Sequence, residues 1–310
     1  MKKYISPILF IIATMLWGFA FSAQKTASDV PPFTLGALRS IIAVIFLLAV
    51  IPLLDKFTRN GRKILTEKKR PDITKTELIG GIVAGVILAI ASAFQQLGLG
   101  EGTDAGKAAF ITALYVVIVP LISLLFGKRP AVNVYFGVVM AVIGFYFLCL
   151  KQGTTLVFSD ALVLICALIF ATHIIAIDYF SPGCDGVRMS LVQFATASVV
   201  NSAFALIFEM PLNIELILAR AGAVLYLAIC SSGIAYTLQI VGQKGCDPTV
   251  ASILLSLESV FGVVGAALFL GERMTPREYL GCAMVFVAVL VSQLDFKMIL
   301  SKISQKANNT

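Results

Sequence analysis

Runs of about twenty consecutive apolar residues fill this chain and leave it few folds to adopt. Ten are read, at roughly 5–26, 33–54, 78–99, 105–126, 131–151, 159–180, 187–210, 219–241, 248–270 and 276–295. A helix needs about 20 such residues to cross a hydrocarbon core ~30 Å thick. In lipid every backbone polar group must find its partner inside the protein, and a helix achieves that alone. Only 13% of the residues are charged, against about a quarter in a soluble domain. The connections are short, so the runs pack as one bundle with no soluble domain. The expected fold is an all-α integral membrane protein of ten transmembrane helices.

The second half replays the first. Gly127-Lys128-Arg129-Pro130, leading into Tyr135, Gly137 and Met140, recurs as Gly271-Glu272-Arg273-Met274, leading into Tyr279, Gly281 and Met284. The offset is 144 residues, and it also pairs Gln95 with Gln239, Gly98 with Gly242, Leu114 with Glu258 and Tyr115 with Ser259. At slightly different offsets Trp17 pairs with Phe170, Ala20 with His173, and Arg39 with Gln193. Five helices per half is an odd number, so the second half must enter the membrane in the opposite sense. Such inverted repeats are the build of secondary transporters.

The net charge of +7 is topological. With both termini on the cytoplasmic side, seventeen Lys and Arg fall on that side and six on the other, with Arg39 inside a span. Eight of the seventeen crowd the stretch from Lys56 to Lys75. This is the positive-inside bias, and it places the protein in the cell membrane, multi-pass, with cytoplasmic N- and C-termini. No nucleic-acid partner is expected, because no folded basic surface is available. Lys2-Lys3, an apolar stretch and small residues at Ala20 and Ser22 imitate a signal peptide. Cleavage there would delete one helix of the first repeat, so the segment is read as retained. The six cysteines show neither a CxxC pair nor metal-ligand spacing, and no metal or other cofactor is expected.

On these residues the chain resembles the EamA-type transporters of the drug/metabolite transporter superfamily. The strongest local likeness is Leu257-Glu258-Ser259-Val260-Phe261 followed by Leu270-Gly271-Glu272-Arg273. The family reads Leu-Glu-Pro-Val there, so Ser259 replaces the usual proline. Lys128 replaces the usual Glu in the first-half copy, where Pro120 lies one turn further along than in many members. Trp17-Gly18 matches the family's helix-1 tryptophan. The resemblance implies two five-helix repeats at 8–149 and 158–294, with 295–310 as a cytoplasmic tail. It also implies a central cavity lined by helices 1, 3, 4, 6, 8 and 9, and cargo such as amino acids or their analogues, often exported.

Ionisable groups at membrane depth are expensive and need a reason. Glu258 is the candidate proton carrier, or else a carboxyl held by a neighbouring helix. Arg39 has three alternatives: snorkelling outward, pairing with a carboxylate, or binding an anionic substrate. His173 is the only histidine, either a proton relay or a packed core residue. Trp17, Gln24, Gln95, Gln96, Thr112, Tyr115, Tyr236, Gln239 and Ser259 complete the cavity candidates, since amides and hydroxyls read polar solutes while aromatics supply apolar walls.

The expected function is secondary active transport of a small metabolite by alternating access, with protons as a candidate second partner. The alternatives are a membrane-embedded lipid-modifying enzyme and a non-transporting scaffold. No Walker A sequence, HExxH or nucleophile elbow is present, so no catalytic residue is assigned. A monomer suffices, because both repeats lie in one chain, and a homodimer stays open.

Overall fold

The computed structural model describes residues 2–59, 72–127, 132–149, 157–271, 273 and 275–293. The described elements are helical throughout. They are α1 (Lys2–Thr26), α2 (Pro32–Arg59), α3 (Lys75–Gly100), α4 (Ala105–Ala113), α5 (Tyr115–Leu125), α6 (Val132–Cys149), α7 (Phe158–Phe180) and α8 (Gly186–Phe208). Then come α9 (Ile214–Ala219), α10 (Ala221–Tyr226), a π-helical stretch Leu227–Tyr236, α11 (Thr237–Gln243), α12 (Pro248–Leu255), α13 (Leu257–Leu270) and α14 (Pro276–Gln293). Among the described residues eight spans, some made of two or three consecutive elements, are long and apolar enough to cross a membrane. Shorter apolar helices at Val132–Gly144 and Tyr279–Ala288 stand where the fifth and tenth crossings were expected. Most of the basic 56–75 stretch, Lys128-Arg129, Lys151, Glu272 and the 295–310 tail lie outside the described residues.

Polar residues set the helix starts. The Thr74 hydroxyl accepts from Glu77 N while the Glu77 carboxylate accepts from Thr74 N, a capping box that opens α3. Asp185 accepts from Val187 N and Arg188 N at the start of α8, and Asp247 does the same for Thr249 and Val250 ahead of Pro248 in α12.

The halves run in opposite senses. Lys25, at the end of α1, donates to the Thr103 carbonyl, and Thr103 donates to Asp160 at the start of α7. So α1 finishes where its repeat mate begins; this end is called the upper end and the opposite one the lower.

Both halves break one span in the same way. Leu114 between α4 and α5 has φ −60° and ψ −12°, and Ser256 between α12 and α13 has φ −62° and ψ −13°. At each break the N–H three residues on returns to the break carbonyl, Val117 to Leu114 at 3.0 Å and Ser259 to Ser256 at 3.1 Å. The break therefore persists where the family proline is a serine. It also pairs Leu114 with Ser256, two residues from the pairing that the sequence offset suggests.

The repeat glycines seat α3 on α7 and α11 on α1. A Cβ on Gly98 would stand 2.8 Å from the Ser159 carbonyl oxygen and 2.4 Å from Val163 Cγ2, whereas one on Gly242 would meet nothing nearer than Leu9 Cβ at 3.4 Å. Gly98→Ala is therefore expected to cost about 1–3 kcal/mol through overpacking, with Gly242→Ala within about 0.5 kcal/mol of the parent. Thermal unfolding in detergent checks the pair, and equal effects would contradict the geometry.

Candidate functional site

Between the halves lies a small cavity of about 30 Å³, room for ordered water rather than a metabolite. Residues of α1, α2, α3, the broken spans α4–α5 and α12–α13, α7, the π-helical stretch and α11 line it. Ten sequence candidates meet there: Trp17, Gln24, Arg39, Gln95, Thr112, Tyr115, His173, Tyr236, Gln239 and Glu258. Gln96 and Ser259 do not. The Gln96 amide donates to the Gln24 and Ala27 carbonyls and ties α3 to the end of α1. Ser259 donates its hydroxyl to the Ser256 carbonyl at 2.7 Å, inside the helix break.

The polar groups are buried and incompletely satisfied. Gln24 Oε1, Tyr115 OH, His173 Nδ1, Gln239 Oε1 and Glu258 Oε1 are buried with no hydrogen-bond partner. Buried polar atoms are nearly always paired, and leaving one unpaired costs about 1–3 kcal/mol. All five lie around one cavity, with Tyr115 and the Glu258 carboxyl facing each other. Gln95 donates to Thr112 Oγ1 at 3.0 Å, and Gln239 donates weakly to Gln243 Oε1 at 3.4 Å. His173 Nε2 lies 3.1 Å from Gln193 Oε1. With that amide oxygen accepting, Nε2 carries the proton and Nδ1 presents its lone pair.

Aromatic rings make the wall. Trp17 and Tyr236 pack at 4.6 Å between centroids, and His173 and Phe194 meet Tyr236 edge-on at 5.8 and 5.7 Å. The indole N–H of Trp17 donates to the Ser231 carbonyl at 3.1 Å. That carbonyl lies in the π-helical stretch, where helical bonding is looser and often serves a site. The same stretch turns the hydroxyls of Ser231 and Ser232 toward Arg39, which donates to them from Nη2 at 3.2 Å and Nε at 3.0 Å. Arg39 is 7% exposed and pairs with no carboxylate among the described residues. Ser231, Ser232 and Gln193 were absent from the sequence candidates. The run Ser231-Ser232-Gly233 inside an apolar span was the available signal.

Both ends above and below this cavity are fastened by charge. At the upper end Asp160 accepts from Lys107 Nζ at 2.6 Å and from Thr103 Oγ1 at 3.2 Å, and Lys25 donates to the Leu99 and Thr103 carbonyls at 3.0 Å. There too Glu209, ending α8, accepts from Phe33 N at 2.9 Å, Thr34 N at 2.6 Å and Thr34 Oγ1 at 2.7 Å, capping α2. Arg220 grips Asp29 with a shortest contact of 2.7 Å, and its hydrogen bonds hold that carboxyl below the usual carboxylate range. That clamp is complete above the ordinary range and is lost as pH falls through the lowered pKa. At the lower end Arg188 donates to Asp55 at 2.8 Å and to Asp185 at 3.1 Å. Glu77 accepts from Asp185 N at 2.7 Å, and Lys244 donates to the Cys184 carbonyl.

A cavity held between two inverted helical halves defines a class, that of multi-pass membrane proteins built from tandem repeats. The EamA-like transporter family matches residues 5–150 and again 157–293, and the chain belongs to that family. Two relatives, each described as an uncharacterized transporter, are similar along most of their length. One, from Archaeoglobus fulgidus, is 28% identical over 94% of this chain and 87% of its own. The other, from Methanothermobacter thermautotrophicus, is 24% identical over 88% of this chain and 81% of its own. A crystal structure of a protein with 19% identity superposes with a TM-score of 0.70 over 93% of this chain and 96% of that one, a likeness of fold.

Proposed function

We propose that this protein is a secondary transporter that moves small polar metabolites, such as amino acids or their analogues, by alternating access about the central cavity, with export as its direction. Family membership supports transport. The observation that carries the site is the ring of five unpartnered buried polar atoms, drawn from both halves, around one cavity. A cavity of about 30 Å³ is too small for such cargo, so this conformation is read as contracted, with both ends fastened. Loading then requires the charged fastenings at one end to part while those at the other hold.

In this reading α6 and α14, which pack on each other, complete ten crossings. The lower end is taken to face the cytoplasm with both termini, in the cell membrane, an orientation that the distribution of basic residues supports. Glu258 is the proposed proton carrier. It sits two residues after the Ser256 break, faces Tyr115, and carries an unpartnered Oε1.

The test is counterflow uptake in proteoliposomes across a panel of amino acids and related metabolites, with and without an imposed pH gradient. Uptake of one chemical class is expected. No uptake of any compound by monodisperse protein would overturn the reading, and chemical turnover of lipid in the same vesicles would replace it with a lipid-modifying enzyme.

A further inference from the structure

We infer that Arg39 is the anion-binding group of the central cavity, so that the cargo carries a carboxylate which docks on its guanidinium. This rests on the transporter reading of the same cavity and adds the charge of one end of the cargo.

The argument begins with what Arg39 lacks. Two arginines are buried to a similar degree, Arg188 at 3% exposed and Arg39 at 7%. Arg188 is neutralised by two carboxylates, Asp55 and Asp185. Among the described residues Arg39 hydrogen-bonds only neutral oxygens, the Ser231 and Ser232 hydroxyls. Snorkelling is not realised, because the side chain is buried and lines the cavity. A carboxylate partner is not realised among the described residues. Of the three alternatives for this position, an anionic guest remains, and a buried charge without a counter-charge calls for one.

Geometry supports a carboxylate in particular. A guanidinium offers five N–H donors in a planar fork that matches two carboxylate oxygens. The serines engage Nε and Nη2 and so fix the plane of the fork, leaving Nη1 free of any protein partner among the described residues. The cavity holds this one arginine together with the Glu258 carboxyl. A single cation beside an acid suits a monoanion better than a doubly charged phosphate. The charge also belongs to one half alone. The repeat mate of Arg39 is Gln193, a neutral side chain engaged with His173.

The chain supplies its own reporter. Trp17 is its only tryptophan, and it lines the same cavity, so its fluorescence reads occupancy without requiring transport. Leucine and phenylalanine would be titrated against their carboxamides, with glycerol 3-phosphate as the phosphate arm, and the same compounds followed by counterflow. The wild type is expected to favour the free acid over the carboxamide by about 10- to 100-fold, the scale of a lost charge-assisted hydrogen bond. Arg39→Gln should erase that preference, and Arg39→Lys should keep part of it. Equal handling of acid and carboxamide by the wild type would overturn the assignment and leave the transporter reading standing. So would a preference for the phosphate. Uptake of nothing, with no change in Trp17 emission, would overturn both. The wild-type comparison decides the matter even if Arg39→Gln fails to fold.

Discussion

Arg188→Ala is expected to unfasten the lower end of the bundle and to destabilise the protein by about 3 kcal/mol. Removing one partner of a buried charge group strands the others, at about 3–5 kcal/mol, and partial exposure of Asp55, 26% for its side chain, moves the value to the lower part of that range. The stranded groups are Asp55 and Asp185, beside Glu77, which is fully buried. In a chain of this size that is an apparent Tm lower by roughly 4–5 °C. Arg188→Met combined with Asp55→Asn and Asp185→Asn should recover at least half of the loss, because the like charges go with the cation and Asn still caps α8. An unchanged Tm for the single variant would show that the clamp contributes nothing.

The clamp has a counterpart at the upper end. The offset of 154 that pairs Arg39 with Gln193 also pairs Asp55 with Glu209 and Thr34 with Arg188. The same two positions thus join α2 to α8 at both ends, once as an ion pair and once as a carboxylate on the first N–H groups of α2. A cap of that kind is worth about 1 kcal/mol, so Glu209→Ala should cost less than Arg188→Ala.

Glu258→Gln is expected to retain counterflow and to lose stimulation by a pH gradient, by at least about ten-fold in gradient-driven uptake if this carboxyl carries the only coupled proton. Glutamine keeps the size and one carbonyl acceptor but can neither take nor release the proton. The Glu258 carboxyl lies two residues past the Ser256 break between α12 and α13, so a protonation event there adjoins the break. Uptake measured at equal internal and external pH, then with the interior acid, separates the two effects. Full stimulation in the variant would assign Glu258 a structural role.

Ten of the twelve candidates line the cavity, and the sequence marks all of them chemically: a polar or aromatic side chain deep in an apolar run is conspicuous in one dimension. Gln96 and Ser259 are marked in the same way yet serve the ends of helices. Gln95 and Gln96 are neighbours on α3, and a rotation of about 100° per residue separates their directions. In a span apolar on nearly every side, no hydrophobic face reveals which of two neighbours looks inward. The π-helical stretch was illegible for a similar reason. Its ten residues, Leu227–Tyr236, read as an ordinary apolar helix, and the partners that its Ser231 and Ser232 meet, Trp17 and Arg39, lie far along the chain.

What the sequence determined by itself was the membrane class, the inverted repeat and the set of polar residues held at membrane depth. Each follows from local composition, run length or spacing, which one dimension contains in full. What only the tertiary structure decided was orientation and partnership. It decided that Arg39 meets two serines and no carboxylate. It decided that Asp55 finds Arg188 while Glu209 finds the start of α2, and that five polar atoms go unpaired around one cavity. These are contacts between residues 133 to 193 positions apart, created when the two halves pack, and the chemistry of either partner alone does not name the other.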